Sequence, residues 1–121
     1  MREILFRGKR IDNGEWVVGS LICWDDGSCL IETGSLLEPQ YAIDSATIGQ
    51  YTGLDTNGKK IFEGDIVTYG DRIGYVVWGK GSFSVQNINS LHCPAIEIVL
   101  WEFDVEIIGN IHDNPELMKG K

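Results

Sequence analysis

Three dipeptides that reverse a chain at little cost set the frame for this sequence. Asn13-Gly14, Asp26-Gly27 and Asn57-Gly58 stand in the segments IDNGEW, WDDGSC and DTNGKK. Asparagine, aspartate and glycine tolerate positive φ, so each pair reads as a hairpin turn. A weaker loop, YGDRIG, carries Gly70 and Gly74. The runs between and beyond these turns are short, β-branched and aromatic: WVVGSLICW, SCLIET, IFEGDIVTY, IGYVVWG, SFSVQN, AIEIVLW and FDVEIIGNI. Such residues suit a pleated, half-buried surface. YVVW is continuous and IEIVL alternates only in part, as in strands buried on both faces or strands that curl. Glycine, at 15 of 121 residues, is abundant enough to serve the turns and more.

Helical text is scarce. TGSLLEPQY and NINSLHCP each allow about one turn before a proline, and NPELMKGK predicts a short C-terminal helix capped by Asn114 with Pro115 in its first position. The expected fold is therefore all-β, a small split architecture with very little helix. The polar interval AIDSATIGQ marks the boundary between two clusters of strands. This gives an N-terminal β subdomain over residues 1–48 and a C-terminal subdomain over 49–121.

Within the second part, the backbone is pinned tightly. Asn57-Gly58 makes a reversal, and Gly53 marks a further special backbone position. Gly64 interrupts strand text, which signals a bulge, a bend or the close approach of another backbone. Asp65, next to it, can accept nearby backbone N–H groups and hold the bend. A turn, a Gly-Asp-Ile-Val strand, a glycine loop and a Gly-Tyr-Val-Val-Trp strand are what a small, strongly bent barrel of SH3-like form needs.

Charge narrows the function classes. The net charge of −8 opposes whole-surface attraction to nucleic acid or an anionic membrane. The first ten residues nonetheless hold Arg2, Arg7, Lys9 and Arg10, a candidate binding patch. No apolar run is long enough to span a bilayer and no signal peptide is expected. Three cysteines make no even-numbered framework, so free thiols in a reducing cytoplasm are expected.

Catalytic and metal constellations are thin. Cys23, Cys29, His92 and Cys93 lack the knuckle spacing of a zinc site, and in a two-residue Asp26-Gly27 hairpin the first two cysteines would point to opposite faces. Only a three-residue loop would bring Cys23 opposite Cys29. His92 and His112 have no G-x-S-x-G serine to serve. Glu102, Asp104 and Glu106, with Glu97 nearby, read as a solvent-facing stripe alternating with Phe103, Val105 and Ile107. Gly79-Lys80-Gly81-Ser82 lacks phosphate-loop spacing and reads as a hairpin turn. Trp16, Trp24, Trp78 and Trp101, with Tyr51, Tyr69 and Tyr75, read as core residues. No catalytic residue, metal or cofactor is expected.

Three stretches resemble one family. Met1-Arg2-Glu3-Ile4-Leu5-Phe6-Arg7 is similar to the opening of the YopX-like proteins of phages and prophages. Ile48-Gly49-Gln50-Tyr51-Thr52-Gly53-Leu54-Asp55, Asn57-Gly58-Lys59, Ile61 and Glu63-Gly64-Asp65-Ile66-Val67 resemble its longest signature. Ile108-Gly109-Asn110-Ile111 and Asn114-Pro115-Glu116-Leu117 resemble its ending. The resemblance implies an all-β chain with a C-terminal SH3-like barrel, and supplies no catalytic residues. It makes Tyr51, Thr52, Gly53, Asn57, Gly58, Gly64 and Asp65 fold-defining positions. The expected role is a non-enzymatic interaction module for a host or phage protein, with self-association into a homo-oligomer. The alternative is a nucleic-acid-binding accessory factor using the basic N-terminal segment and an aromatic barrel face.

Overall fold

A computed structural model describes residues 4–37, 39–69, 72–79, 82–87, 96–97 and 105–118. The strands are β1 (Phe6–Arg10), β2 (Trp16–Cys23), β3 (Cys29–Glu32), β4 (Gln40–Thr56), β5 (Lys59–Phe62), β6 (Asp65–Tyr69), β7 (Arg72–Gly79), β8 (Ser82–Asn87), β9 (Ile96–Glu97) and β10 (Val105–Asn110). All pairings with an established register are antiparallel. The chain is all-β. The C-terminal helix expected from NPELMKGK is a single 3₁₀ turn, Pro115–Met118. Four residues are too few for α-helical bonding to propagate.

The chain divides into two compact units, Met1–Tyr51 and Thr52–Lys121. In the first, β1 pairs with β2, β2 with β3, β3 with β4, and β4 again with β1. The strands thus close into a ring. Its interior is narrow. A Cβ at Gly8 would stand 2.2 Å from Ile43 Cγ2, and one at Gly19 would stand 2.2 Å from the Glu32 carbonyl oxygen. These two glycines let strands approach where any side chain would hold them apart. Ile31 and Ile43, 0% and 2% exposed, fill the space they leave.

The boundary interval AIDSATIGQ is itself strand. It lies inside β4, which runs for 17 residues. Within the interval, β3 pairs with Ala42 and Ile43, and β1 pairs with Ile43, Asp44, Gly49 and Gln50. Along the β1 edge, Arg7 pairs with Gly49 but Lys9 with Asp44, so β4 bulges between. Thr47 fills the gap: its Oγ1 accepts the Lys9 N–H at 2.8 Å and donates to the Asp44 carbonyl at 2.6 Å. A side chain thus completes the ladder that the bulge interrupts.

The β2–β3 turn also departs from the two-residue hairpin. Gly27 N–H donates to the Trp24 carbonyl at 3.0 Å, and Trp24 N–H donates to Ser28 O at 2.9 Å. Gly27 takes φ +91°. Asp25-Asp26-Gly27 is therefore a three-residue loop with a left-handed glycine. Cys23 and Cys29 become direct cross-strand partners, with Cα atoms 4.1 Å apart, and are joined by a disulfide. The expectation of free thiols fails for this pair. The added loop residue moved both cysteines onto one face, at the close, non-hydrogen-bonded kind of site that follows a bonded pair. Removing the cross-link by Cys23→Ser should cost about 2 kcal/mol, the loop-closure value for so short a ring. Urea midpoints test this: the wild type in reductant should unfold with the variant, and coincidence of oxidised and reduced curves would refute it.

In the second unit, the sheet order is β10-β6-β7-β8-β9, with β5 paired to the end of β4. Asn57 and Gly58 both take positive φ, +51° and +78°, giving the two-residue reversal between β4 and β5. Ile61, Val67, Val76, Val85 and Val105 form the core, with Leu54, Tyr69, Phe83 and Ile107 packed around it. It is β6, not YVVW, that is buried on both faces: Asp65, Ile66 and Val67 are all buried, whereas Val77 is only half-buried and Trp78 is exposed.

Candidate functional site

The cationic N-terminal segment divides between two faces of the ring. Strand alternation and register place Gly8, Gly19, Ile31 and Ile43 on the lining, so Arg7 and Lys9 stand on the outer wall. There they meet β2: Lys9 lies opposite Trp16 and Arg7 opposite Val18. The Arg7 guanidinium is 4.7 Å and the Lys9 ammonium 5.4 Å from the centre of the Trp16 ring. Both cations are within the range at which an indole face attracts them.

Arg10 is held elsewhere, at the mouth of the ring. Its Nε and Nη2 donate to the two carboxylate oxygens of Asp12 at 2.9 and 2.6 Å. Its guanidinium lies 4.1 Å from the centre of the Tyr41 ring. Arg2 lies outside the described residues. The four residues of the candidate patch therefore do not form one surface.

The mouth encloses an open cavity of about 540 Å³, with Lys9, Arg10, Gly27, Ser28, Asp44 and Ser45 around Ile43. Asp12 already bonds Arg10, and Asp44 matches Lys9 in charge. Asp44 is occupied by its own turn, accepting the Ala46 N–H at 3.1 Å. The Arg10 hydrogen bond holds the Asp12 carboxyl below its usual range, and the Ser28 hydroxyl and N–H do the same for Asp26. Any stability these two exposed groups add is complete above the ordinary carboxylate pKa. It is lost as pH falls through their lowered folded values.

The signature residues of the centre do backbone work. Tyr51 is buried and its N–H donates to Leu5 O at 2.8 Å. Thr52, also buried, donates its hydroxyl to Ile61 O at 2.8 Å and accepts the Leu54 N–H at 3.2 Å. Gly53 and Gly64 take φ +87° and +93°. Asp65, 2% exposed, accepts the Phe62 N–H at 2.8 Å. Gly64 N–H donates to Val76 O, and Gly64 O accepts from Ile111 N–H, both at 2.9 Å. One turn thus ties β6, β7 and the C-terminal segment together.

Among the described residues, the candidates for chemistry do not converge. Cys23 and Cys29 bond each other, which removes them from any zinc set. His112 belongs to a turn in which Asn110 Oδ1 accepts the N–H groups of His112 and Asp113 at 3.0 and 2.9 Å. Glu106 is exposed on β10. His92, Cys93, Trp101, Glu102, Asp104 and the Lys80-Gly81 turn lie outside the described residues. Among the described residues, no group of three His, Cys, Asp or Glu converges to hold a metal ion, and no helix is long and apolar enough to cross a membrane.

Two of the described tryptophans depart from a core role. Trp24 and Trp78 are 52% and 50% exposed. Trp24 follows the last residue of β2, and Trp78 is the last but one of β7. Trp78 packs edge-on against Phe83, centroids 4.7 Å apart. Sequence reasoning missed the outer wall of β2, because Val17, Gly19, Leu21 and Cys23 alternate with Trp16, Val18, Ser20 and Ile22, and both sets are mostly apolar. Gly19 was the available signal: the face with a glycine is the one facing a close neighbour.

These features define an all-β protein of two strand-built units, the first a closed ring with a cation-and-indole cluster on its outer wall. The chain belongs to the family described as YopX protein, whose model matches residues 5–119. No curated protein matches it.

Proposed function

We propose that this chain is a phage- or prophage-encoded, non-enzymatic module that binds a host or phage protein in the bacterial cytoplasm. The observation that carries this reading is the outer wall of the ring. Val18 and Ile22 are 40% and 41% exposed there, Val18 opposite Arg7 and Ile22 opposite Leu30. Aliphatic surface kept in water next to fixed charge is the composition of an interaction patch. The glycine-closed ring supplies a rigid frame for it. The second unit's meander, with β10 returned beside β6, supports an SH3-like barrel reading.

Affinity capture of the tagged full chain from host lysate, with and without nuclease, tests the reading. One stoichiometric protein that survives nuclease is expected, and its absence rejects the module. A second reading, a nucleic-acid accessory factor, draws on the same Arg7, Lys9 and Trp16 cluster and predicts salt-sensitive binding of single strands. Self-association into a homo-oligomer predicts a mass above the monomer by light scattering at micromolar concentration. The Cys23–Cys29 bond weighs against a reducing compartment. Alkylation and mass measurement of protein quenched in the cell reads its state directly: free thiols fit the cytoplasm, and an intact bond relocates the protein.

A further inference from the structure

The two cysteines of the β2–β3 hairpin are joined, but their surroundings differ. Cys23 is exposed, at the last position of β2. Cys29 is 8% exposed, because its other register partner is Ile43 of the ring interior. The Cys29 Sγ also lies 3.7 Å from the Gly27 carbonyl oxygen, an acceptor for its S–H once the bond is open. The turn between the cysteines has its own support. Trp24 N–H donates to Ser28 O, and Gly27 N–H to Trp24 O. Asp26 accepts both the N–H and the hydroxyl of Ser28, at 2.9 and 2.6 Å. The cysteines can therefore part without loss of the turn that brings them together again.

We propose that Cys23 and Cys29 form a reversible thiol-exchange site, in which Cys23 is modified by a low-molecular-weight thiol and Cys29 resolves the adduct. A small thiolate attacks Cys23 Sγ. Its sulfur bonds to Cys23 as the Cys23–Cys29 bond breaks, and Cys29 leaves as a thiolate that takes a proton from water. A second small thiolate attacks the added sulfur, which releases the Cys23 thiolate and a small disulfide. Two thiols thus supply the two electrons that reduce the bond. In the reverse direction the Cys23 thiolate attacks a small disulfide and expels one thiolate. The Cys29 thiolate then attacks Cys23 Sγ and expels the other. Access selects Cys23 as the point of entry, and exposed bonds are the ones that exchange rather than lock a core. An accessible cysteine beside a resolving one is the arrangement of a redox sensor. Disulfides of a reducing cytoplasm are usually of this transient kind, and that part rests on the cytoplasmic reading.

The test uses the full chain with Cys93→Ser, so that the third thiol takes no part. The reagents are 2-mercaptoethanol and 2-hydroxyethyl disulfide, both uncharged, so that Asp25 and Asp26 in the turn neither attract nor repel them. The thiol should open the bond in native buffer and the disulfide should close it again, read by alkylation and mass. A bond that opens only in urea, or that does not re-form, overturns the proposal. In the single variants, Cys29→Ser should take the mercaptoethanol adduct at Cys23 at least roughly tenfold faster than Cys23→Ser takes it at Cys29. Equal rates in folded variants overturn the assignment of the two roles. Circular dichroism confirms the folds, and the reversible exchange of the paired cysteines keeps the test open if a single variant does not fold. In host cells, free thiols are expected at rest, and the bond should appear when a permeant diazene oxidises the small-thiol pool. Thiols that stay free under that challenge overturn the proposal. A bond intact at rest, with exchange seen in buffer, removes the cytoplasmic reading and keeps the site.

Discussion

Gly19→Ala is expected to cost about 3 kcal/mol, the upper range for forcing an extra carbon into a packed site. The added Cβ would lie 2.2 Å from the Glu32 carbonyl oxygen and 2.9 Å from its carbon. Both are backbone atoms, and Glu32 is the register partner of Ser20, the next residue on β2. The obstacle cannot turn aside as a side chain would, so the β2–β3 ladder must open. Gly8→Ala meets Ile43 Cγ2 at the same 2.2 Å, but that atom is the arm of a side chain. A smaller loss is expected there. Gly14→Ala is the control. It has φ +73° and nothing within 4 Å, so only the backbone strain of about 1 kcal/mol applies. Urea midpoints should rank Gly19 as worst, Gly8 next and Gly14 least. A Gly19 variant as stable as the Gly14 variant would mean that the ring does not close as described.

Asp65→Ala should have the largest effect in the second unit. The carboxylate is 2% exposed and accepts the Phe62 N–H, itself on a residue only 5% exposed. Alanine leaves that donor buried without its acceptor, at a cost of about 2–3 kcal/mol. Asp65→Asn keeps an oxygen in the same place and should recover most of the loss. Gly64→Ala, at φ +93°, strains the same turn. Because the Gly64 backbone bonds both Val76 and Ile111, the two changes act on one unit and their costs should not add. Amide exchange at Gly64 and Ile111 reports the opening directly. Unchanged protection at both in the Asp65→Ala variant would show that the carboxylate does not hold the turn.

Local conformation was written plainly in the chain. Asn57-Gly58 reads as a two-residue reversal and is one, because both residues favour the φ values it needs. Asp26-Gly27 reads as a turn and is one, but the dipeptide does not state the loop length. A glycine with positive φ serves the second place of a two-residue turn and the last place of a three-residue one. That one residue decided whether Cys23 and Cys29 face apart or bond. β4 was the least legible element, since Asp44, Ser45 and Ala46 have weak strand preference and Thr47 bridges the bulge through its side chain. The candidate patch was half legible: basic residues are visible in any sequence, but the face each one takes is not.

The amino-acid sequence by itself fixed the class, the turns and the balance of charge. Short β-rich runs between reversals exclude a helical core, and each reversal depends on only a few neighbouring residues. Tertiary structure alone decided the closure of the ring, the bulge at Thr47, the pairing of the cysteines and the separation of Arg10 from Arg7 and Lys9. Apart from the cysteine pairing, which the loop length decided, these depend on partners distant in the chain, such as Phe6 opposite Gln50 and Arg10 opposite Ile43. A strand's two faces differ only in what approaches them. Where both faces are mostly apolar, as in β2, that approach more than the residue pattern determines which side is core and which remains as surface.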